Sequence, residues 1–85
     1  MIVDLFAVND FIRYLRKEYP DIIISVRYDF ATFILYIQIE PKTYHKNVEY
    51  YSGQSLAYDT KTCISHINDA FIAYLAYLSH EKIPL

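Results

Sequence analysis

The sequence predicts one α+β domain over residues 1–85, ordered α-β-β-β-α, with a three-stranded antiparallel meander sheet and both helices packed on one face. Three observations carry that expectation. Apolar residues recur at helical steps from Leu5 to Tyr19 and stop at Pro20, two period-two runs follow on either side of a hairpin-sized gap, and a longer helical run begins after Asp59-Thr60. A chain of 85 residues has room for one core, and no internal repeat is visible.

In the first segment Leu5, Val8, Phe11, Ile12, Leu15 and Tyr19 share one helical face. Asp4 and Asn9 are both candidate caps, Arg13, Arg16 and Lys17 suit the negative end of the helix dipole, and Pro20 is the stop. Next, Ile22, Ile24, Val26 and Tyr28 alternate against Ile23, Ser25, Arg27 and Asp29. Phe33, Leu35, Ile37 and Ile39 do the same against Ile34, Tyr36, Gln38 and Glu40, up to Pro41. The gap Asp29-Phe30-Ala31-Thr32 holds no glycine and no Asn-Gly, so its turn is expected to exceed two residues. Residues 41–46 read as loop and Asn47–Tyr51 as the third strand. Gly53, the single glycine, is expected to make a turn or bulge, with Ser55–Tyr58 continuing the strand beyond it.

Asp59 or Thr60 caps the last helix, which runs to about Ser79 or His80 with Ile64, Ile67, Phe71, Leu75 and Leu78 as its core stripe. This helix carries an apolar surplus. Ala70, Ile72, Ala73, Tyr74, Ala76 and Tyr77 extend around the other side, and a chain this short has little with which to cover them. Either the first helix lies across that surface or a partner does. The residues expected to meet a partner are Ile72, Ala73, Ala76 and Tyr77 on the helix, with self-association as a homodimer, and Arg27, Tyr36, Tyr50 and Tyr51 on the sheet. If Ile22, Ile24 and Val26 face the helices, then Arg27, Tyr36 and one of Tyr50 or Tyr51 face away.

Several chemistries have no support. A lone glycine excludes a phosphate-binding loop or a dinucleotide fingerprint, and no Gly-x-Ser-x-Gly or His-Glu-x-x-His occurs, so neither catalysis nor a cofactor is expected. Asp59, Cys63 and His66 share helical spacing and zinc-ligand chemistry, but a structural site needs a fourth ligand; Cys63 is expected to be a buried small hydrophobe. One cysteine allows no internal disulfide, which fits a reducing, cytoplasmic setting. The longest apolar run, Ala70–Leu78, is too short to span a bilayer, and Met1–Phe6 lack the features of a signal peptide.

The formal charge is −2, from eight Lys+Arg against ten Asp+Glu, which is too balanced for binding driven by phosphate neutralisation. The element order is similar to that of the double-stranded-RNA-binding domain. That family grips phosphates with a lysine cluster opening its second helix and a Gly-Pro-x-His loop; here the corresponding stretches read Thr60-Lys61-Thr62-Cys63 and Asp29-Phe30-Ala31-Thr32. Nucleic-acid binding, through the basic end of the first helix or by base stacking on Tyr36 and Tyr50, stays the alternative.

The opening run Asn9-Asp10-Phe11-Ile12-Arg13, the size and the element order resemble small phage-encoded inhibitors, type II anti-CRISPR proteins among them. The resemblance implies a protein that blocks a Cas nuclease by occupying its DNA-binding surface. Several members of that group are strongly acidic, whereas Asp4, Asp10, Asp21, Glu40 and Glu49 here are scattered among Arg and Lys. An inhibitor of this kind would rely on tyrosines and an apolar helix instead of DNA mimicry. The expectation is therefore a small, non-enzymatic phage or mobile-element protein that binds a host protein in the host cytoplasm. A structural homo-oligomer subunit is the third reading.

Overall fold

The computed structural model describes residues 3–83; positions 1, 2, 84 and 85 lie outside the described residues. Along the chain come α1 (Leu5–Glu18), β1 (Ile22–Asp29), β2 (Ile34–Pro41), β3 (Tyr51–Leu56) and α2 (Thr60–His80). The sheet is antiparallel with order β1-β2-β3, so β1 and β3 are both edge strands. The α-β-β-β-α order and the open meander sheet agree with the expectation from sequence.

Asp4 is the cap of α1: its Oδ1 accepts from the backbone N–H groups of Phe6 and Ala7 at 3.0 and 3.3 Å. The Asp4 N–H in turn donates to Thr60 Oγ1 at 2.8 Å, which ties the starts of the two helices together. Val8, Ile12 and Leu15 are the buried row of α1. After Pro20 the chain reverses, and the Ile22 N–H donates to Tyr19 O at 3.1 Å as β1 begins.

Register partners Ile24↔Ile39, Val26↔Ile37 and Tyr28↔Leu35 place those side chains together on the helix-covered face. The hairpin loop spans Phe30–Phe33. Asp29 organises it by accepting from the Ala31 N–H through Oδ1 and from the Phe33 N–H through its carbonyl, both at 2.8 Å. Phe33 closes the loop with φ of 60°, in the left-handed region that favours glycine or asparagine. The turn is longer than two residues, as the missing glycine implies.

Strand β3 departs from the sequence reading. Residues 46–50 are loop, and the strand runs unbroken from Tyr51 to Leu56 with constant register and no bulge. Gly53 sits inside the strand and has no left-handed φ. A Cβ at Gly53 would collide with the Tyr51 ring, whose Cζ lies 2.7 Å from that position. Close approach, not turning, is what glycine supplies here.

Helix α2 starts at Asp59, which accepts from the Thr62 N–H at 2.7 Å. It ends in a Schellman motif: Lys82 takes φ of 59°, the Ile83 N–H donates to Leu78 O and the Lys82 N–H to Ser79 O, each at 3.0 Å. Its buried row is Cys63, Ile67, Phe71, Tyr74 and Leu78, with Ile64 and Leu75 half-buried against the core. The expected stripe is thus shifted by part of a turn, and Tyr74, read from sequence as part of the apolar surplus, belongs to the core. Helix α1 packs on β1, α2 packs on β2, and the two helices touch. Among the described residues, no helix is long and apolar enough to cross a membrane.

Candidate functional site

With both helices on one side, the other face of the sheet carries no cover among the described residues. Alternation along the strands and the observed register build it in rows: Ser25, Gln38 and Ser52; Arg27, Tyr36 and Gln54; Asp29, Ile34 and Leu56; with Ile23 and Glu40 at the far end. The first row is small and polar. In the second, the Arg27 guanidinium stacks over the Tyr36 ring, with Cζ 4.1 Å from the centroid. The stack leaves a cation and a phenol side by side on an open face. The backbone N–H of Ala31 and the Thr32 side chain hold the Asp29 carboxyl below the usual carboxylate range.

The third row adjoins the hairpin loop, and here exposed apolar surface gathers. Leu56, Tyr58 and Phe30 are 55%, 52% and 53% exposed, and Phe33 is exposed as well. The Phe33 and Tyr58 rings lie 5.2 Å apart, and Phe30 meets Tyr28 edge-on at 4.9 Å. The Tyr28 hydroxyl donates to Ala57 O at 2.5 Å, which fixes the exit of β3 against the hairpin. Phe33 and Tyr58 thus form an aromatic pair next to the hairpin end of the sheet, while Phe30 packs on Tyr28, whose side chain is on the helix-covered side.

The predicted partner residues are distributed over separate surfaces. Arg27 and Tyr36 lie together on the open face, as expected. Tyr50 is exposed at the opposite end, beside a shallow depression lined by Ile23, Pro41, Tyr44 and Val48. Tyr51 points to the helix-covered side, since it pairs with Ile39. Ile72 is 56% exposed, whereas Ala73 lines a depression that faces β3. Ala76 is exposed between them. Ile72, Ala73 and Ala76 are all exposed and adjoin at helical spacing on α2, with Tyr77 half-buried at the edge of that strip.

Tyr77 is half-buried and already engaged, its hydroxyl accepting from the Glu49 N–H at 2.9 Å. The Tyr74 hydroxyl donates to Glu49 O at 2.7 Å, so the two tyrosines grip one residue of the loop that leads into β3. Burial pushes the Tyr74 phenol up to about 12, with smaller contributions from Tyr77 and Glu40.

The possible metal set is dispersed. Asp59 caps α2, with the Thr62 N–H holding its carboxyl below the usual range. Cys63 is fully buried, and desolvation raises its thiol pKa. His66 turns to β3, where Nδ1 lies 2.9 Å from Ser55 Oγ. Among the described residues, no three His, Cys, Asp or Glu side chains stand together as a metal site.

Sequence reasoning did not single out Phe30, Phe33, Leu56 and Tyr58. Its available hint was a hairpin with an aromatic where glycine would be expected. The Ser55–His66 bond was equally hidden, because it depends on where β3 lies. Comparison with protein-family models, curated proteins and solved structures returned no match.

Proposed function

We propose that the chain is a non-enzymatic protein-binding module that acts by occupying the surface of a partner protein, in the manner of small phage-encoded inhibitors working in a host cytoplasm. The observation that carries this reading is the open sheet face, where Arg27 stacks on Tyr36 beside Ile34 and Leu56, with the exposed Phe33–Tyr58 ring pair at the neighbouring hairpin. Tyrosine and arginine beside exposed apolar side chains are the composition of binding hot spots. A left-handed backbone at Phe33 adds to it. A bulky residue costs about 1–2 kcal/mol there relative to ordinary conformations, so keeping an exposed aromatic at that position runs against stability.

The charge on α1 favours a protein over a nucleic acid as the ligand. Arg13 is paired with Asp10, and Arg16 donates to Ile24 O through Nη2 at 2.7 Å and Nε at 3.3 Å. Two of the basic groups that a phosphate backbone would need are thus occupied within the chain.

Affinity capture from host cytoplasm tests the proposal with wild type, Phe33→Gly, Tyr36→Ala and Ile72→Glu. The expected result is one protein retained by wild type and by Ile72→Glu, and reduced at least about tenfold by the other two, as befits hot-spot residues. Recovery of nucleic acid alone, or equal retention by all four chains, would refute it.

A further inference from the structure

The two edges of the sheet are treated differently. At β1 the edge groups are partly occupied from within the chain, Ile22 N–H by Tyr19 O and Ile24 O by the Arg16 guanidinium. At β3, among the described residues, no hydrogen bond occupies the outward groups. The Ala57 N–H donates to Phe33 O at 2.9 Å, which makes 57 and 33 a hydrogen-bonded pair. Ladder alternation then turns Gly53 and Ser55 toward β2, and the N–H and C=O groups of Ser52, Gln54 and Leu56 outward. Proteins usually blunt such an edge with a lysine, a proline or a bulge. The segment Tyr51–Leu56 has none of these.

The helix-covered side of β3 is also incomplete. A groove of about 300 Å³ runs between β3 and the near flank of α2, lined by Tyr51, Ser55, His66, Asp69, Ala70 and Ala73. Tyr51 lies flat over Gly53 at its floor. Edge and groove are continuous, and both end at the same strand.

We infer that β3 pairs antiparallel with β3 of a second copy about a two-fold axis at Gln54, giving a six-stranded sheet with the two α2 helices side by side above the junction. This goes beyond the binding reading above, which concerns the hairpin end of the open face. A second copy fits for three reasons. First, centring the axis on Gln54 pairs Ser52 with the copy's Leu56, Gln54 with Gln54, and Leu56 with Ser52, so every outward group is used. Second, α2 lies over the line between β2 and β3, since it packs on β2 and its His66 reaches Ser55. With strands about 4.8 Å apart, the axis sets the two helices roughly 10 Å from each other, the interaxial distance of packed helices. Ala70 and Ala73 permit that approach. Third, the paired layers span roughly 20–30 Å by 20 Å, about 1,000 Å² over both copies, the lower bound for a specific interface. A lone peptide strand would satisfy the edge and leave the α2 flank uncovered.

The test is sedimentation velocity of the full chain up to about 100 μM, above the micromolar affinity expected of a minimal interface, with amide exchange at the same concentrations. Wild type should move from 10.1 kDa to twice that mass, and the Ser52, Gln54 and Leu56 amides should slow at least tenfold as it does. Gln54→Pro removes a central outward N–H that no bond to β2 uses, and should stay at the single-chain mass with the wild-type circular dichroism spectrum. If that variant does not fold, Ser52→Lys takes its place, since it puts a charge on the edge without touching the β2 ladder. Ile72→Glu, on the far flank of α2, should leave the dimer intact. A wild type that remains single throughout, a folded edge variant that still dimerises, or loss of the dimer by Ile72→Glu alone would overturn the inference. None of these results depends on whether a heterologous protein is captured.

Discussion

The grip of Tyr74 and Tyr77 on Glu49 offers a quantitative test of how β3 is placed. The Tyr74 hydroxyl holds the Glu49 carbonyl at 2.7 Å, and the Tyr77 hydroxyl receives the Glu49 N–H at 2.9 Å. Each bond contributes about 1 kcal/mol net. Replacing tyrosine by phenylalanine removes only the hydroxyl, so no cavity term is added. Glu49 itself is exposed, and water can reach the groups released. The Tyr74→Phe and Tyr77→Phe changes should therefore cost roughly 0.5–1 kcal/mol each. Both hold the same residue, so the second loss is cheaper once the loop is free, and the double variant should cost about 1–1.5 kcal/mol. Urea unfolding monitored by circular dichroism reads this as a fall of about 1 M in midpoint, given a slope near 1 kcal/mol/M for a small domain. Faster exchange of the Glu49 amide in Tyr77→Phe should accompany it. A double variant with the wild-type midpoint and an unchanged Glu49 amide would refute the proposed anchoring.

Three further outcomes follow from the geometry. Near-ultraviolet titration of the phenols should show a late step near pH 12 that disappears in Tyr74→Phe, because burial disfavours the phenolate; a profile complete well before that, in a chain still folded, would contradict it. Asp29 and Asp59 both have lowered pKa values in the folded chain, so the stability they contribute is present above the ordinary carboxylate pKa and is lost as pH falls through their folded values. Unfolding midpoints measured from neutral to strongly acidic pH should decline in that window, and less steeply in Asp59→Asn and Asp29→Asn; equal slopes in all three chains would exclude the assignment. Phe33→Gly should stay within about 1 kcal/mol of wild-type stability, since relief of the left-handed backbone, roughly 1–2 kcal/mol, offsets a lost ring contact of similar size. A loss above about 2 kcal/mol in urea unfolding would show that Phe33 is structural and not kept for binding.

Much of the fold is legible in periodicity. The first helix, the β1–β2 hairpin and the span of α2 follow from where apolar residues recur, because local geometry alone decides which side chains share a face. Choosing Asp4 over Asn9 as the cap was beyond that logic: both residue types cap well, and the deciding contact is with Thr60, distant in sequence. Strand β3 was displaced for a related reason. Asn47–Tyr51 is the richer stretch in strand formers, while the true strand, Tyr-Ser-Gly-Gln-Ser-Leu, is poor in them. The ladder to β2 and the two tyrosines on Glu49 override propensity there.

The candidate surface was legible in part. Alternation alone sets Arg27 and Tyr36 on one side of adjacent strands, and their stacking follows from register. The aromatic hairpin end was not, since Phe33 continues the strand pattern and only its left-handed backbone removes it from the strand. Tyr74 was misassigned although it lies at helical steps from Phe71 and Leu78, because tyrosine reads as a surface residue until a buried partner for its hydroxyl is found.

Photocrosslinking from two single positions tests the central claim most directly, with a reactive side chain placed at position 33 in one chain and at position 73 in another. The hairpin-end position should join the chain to one heterologous host protein, and the α2-flank position should give a product of twice 10.1 kDa. Absence of a heterologous product from position 33, or the same product from both positions, would contradict the account.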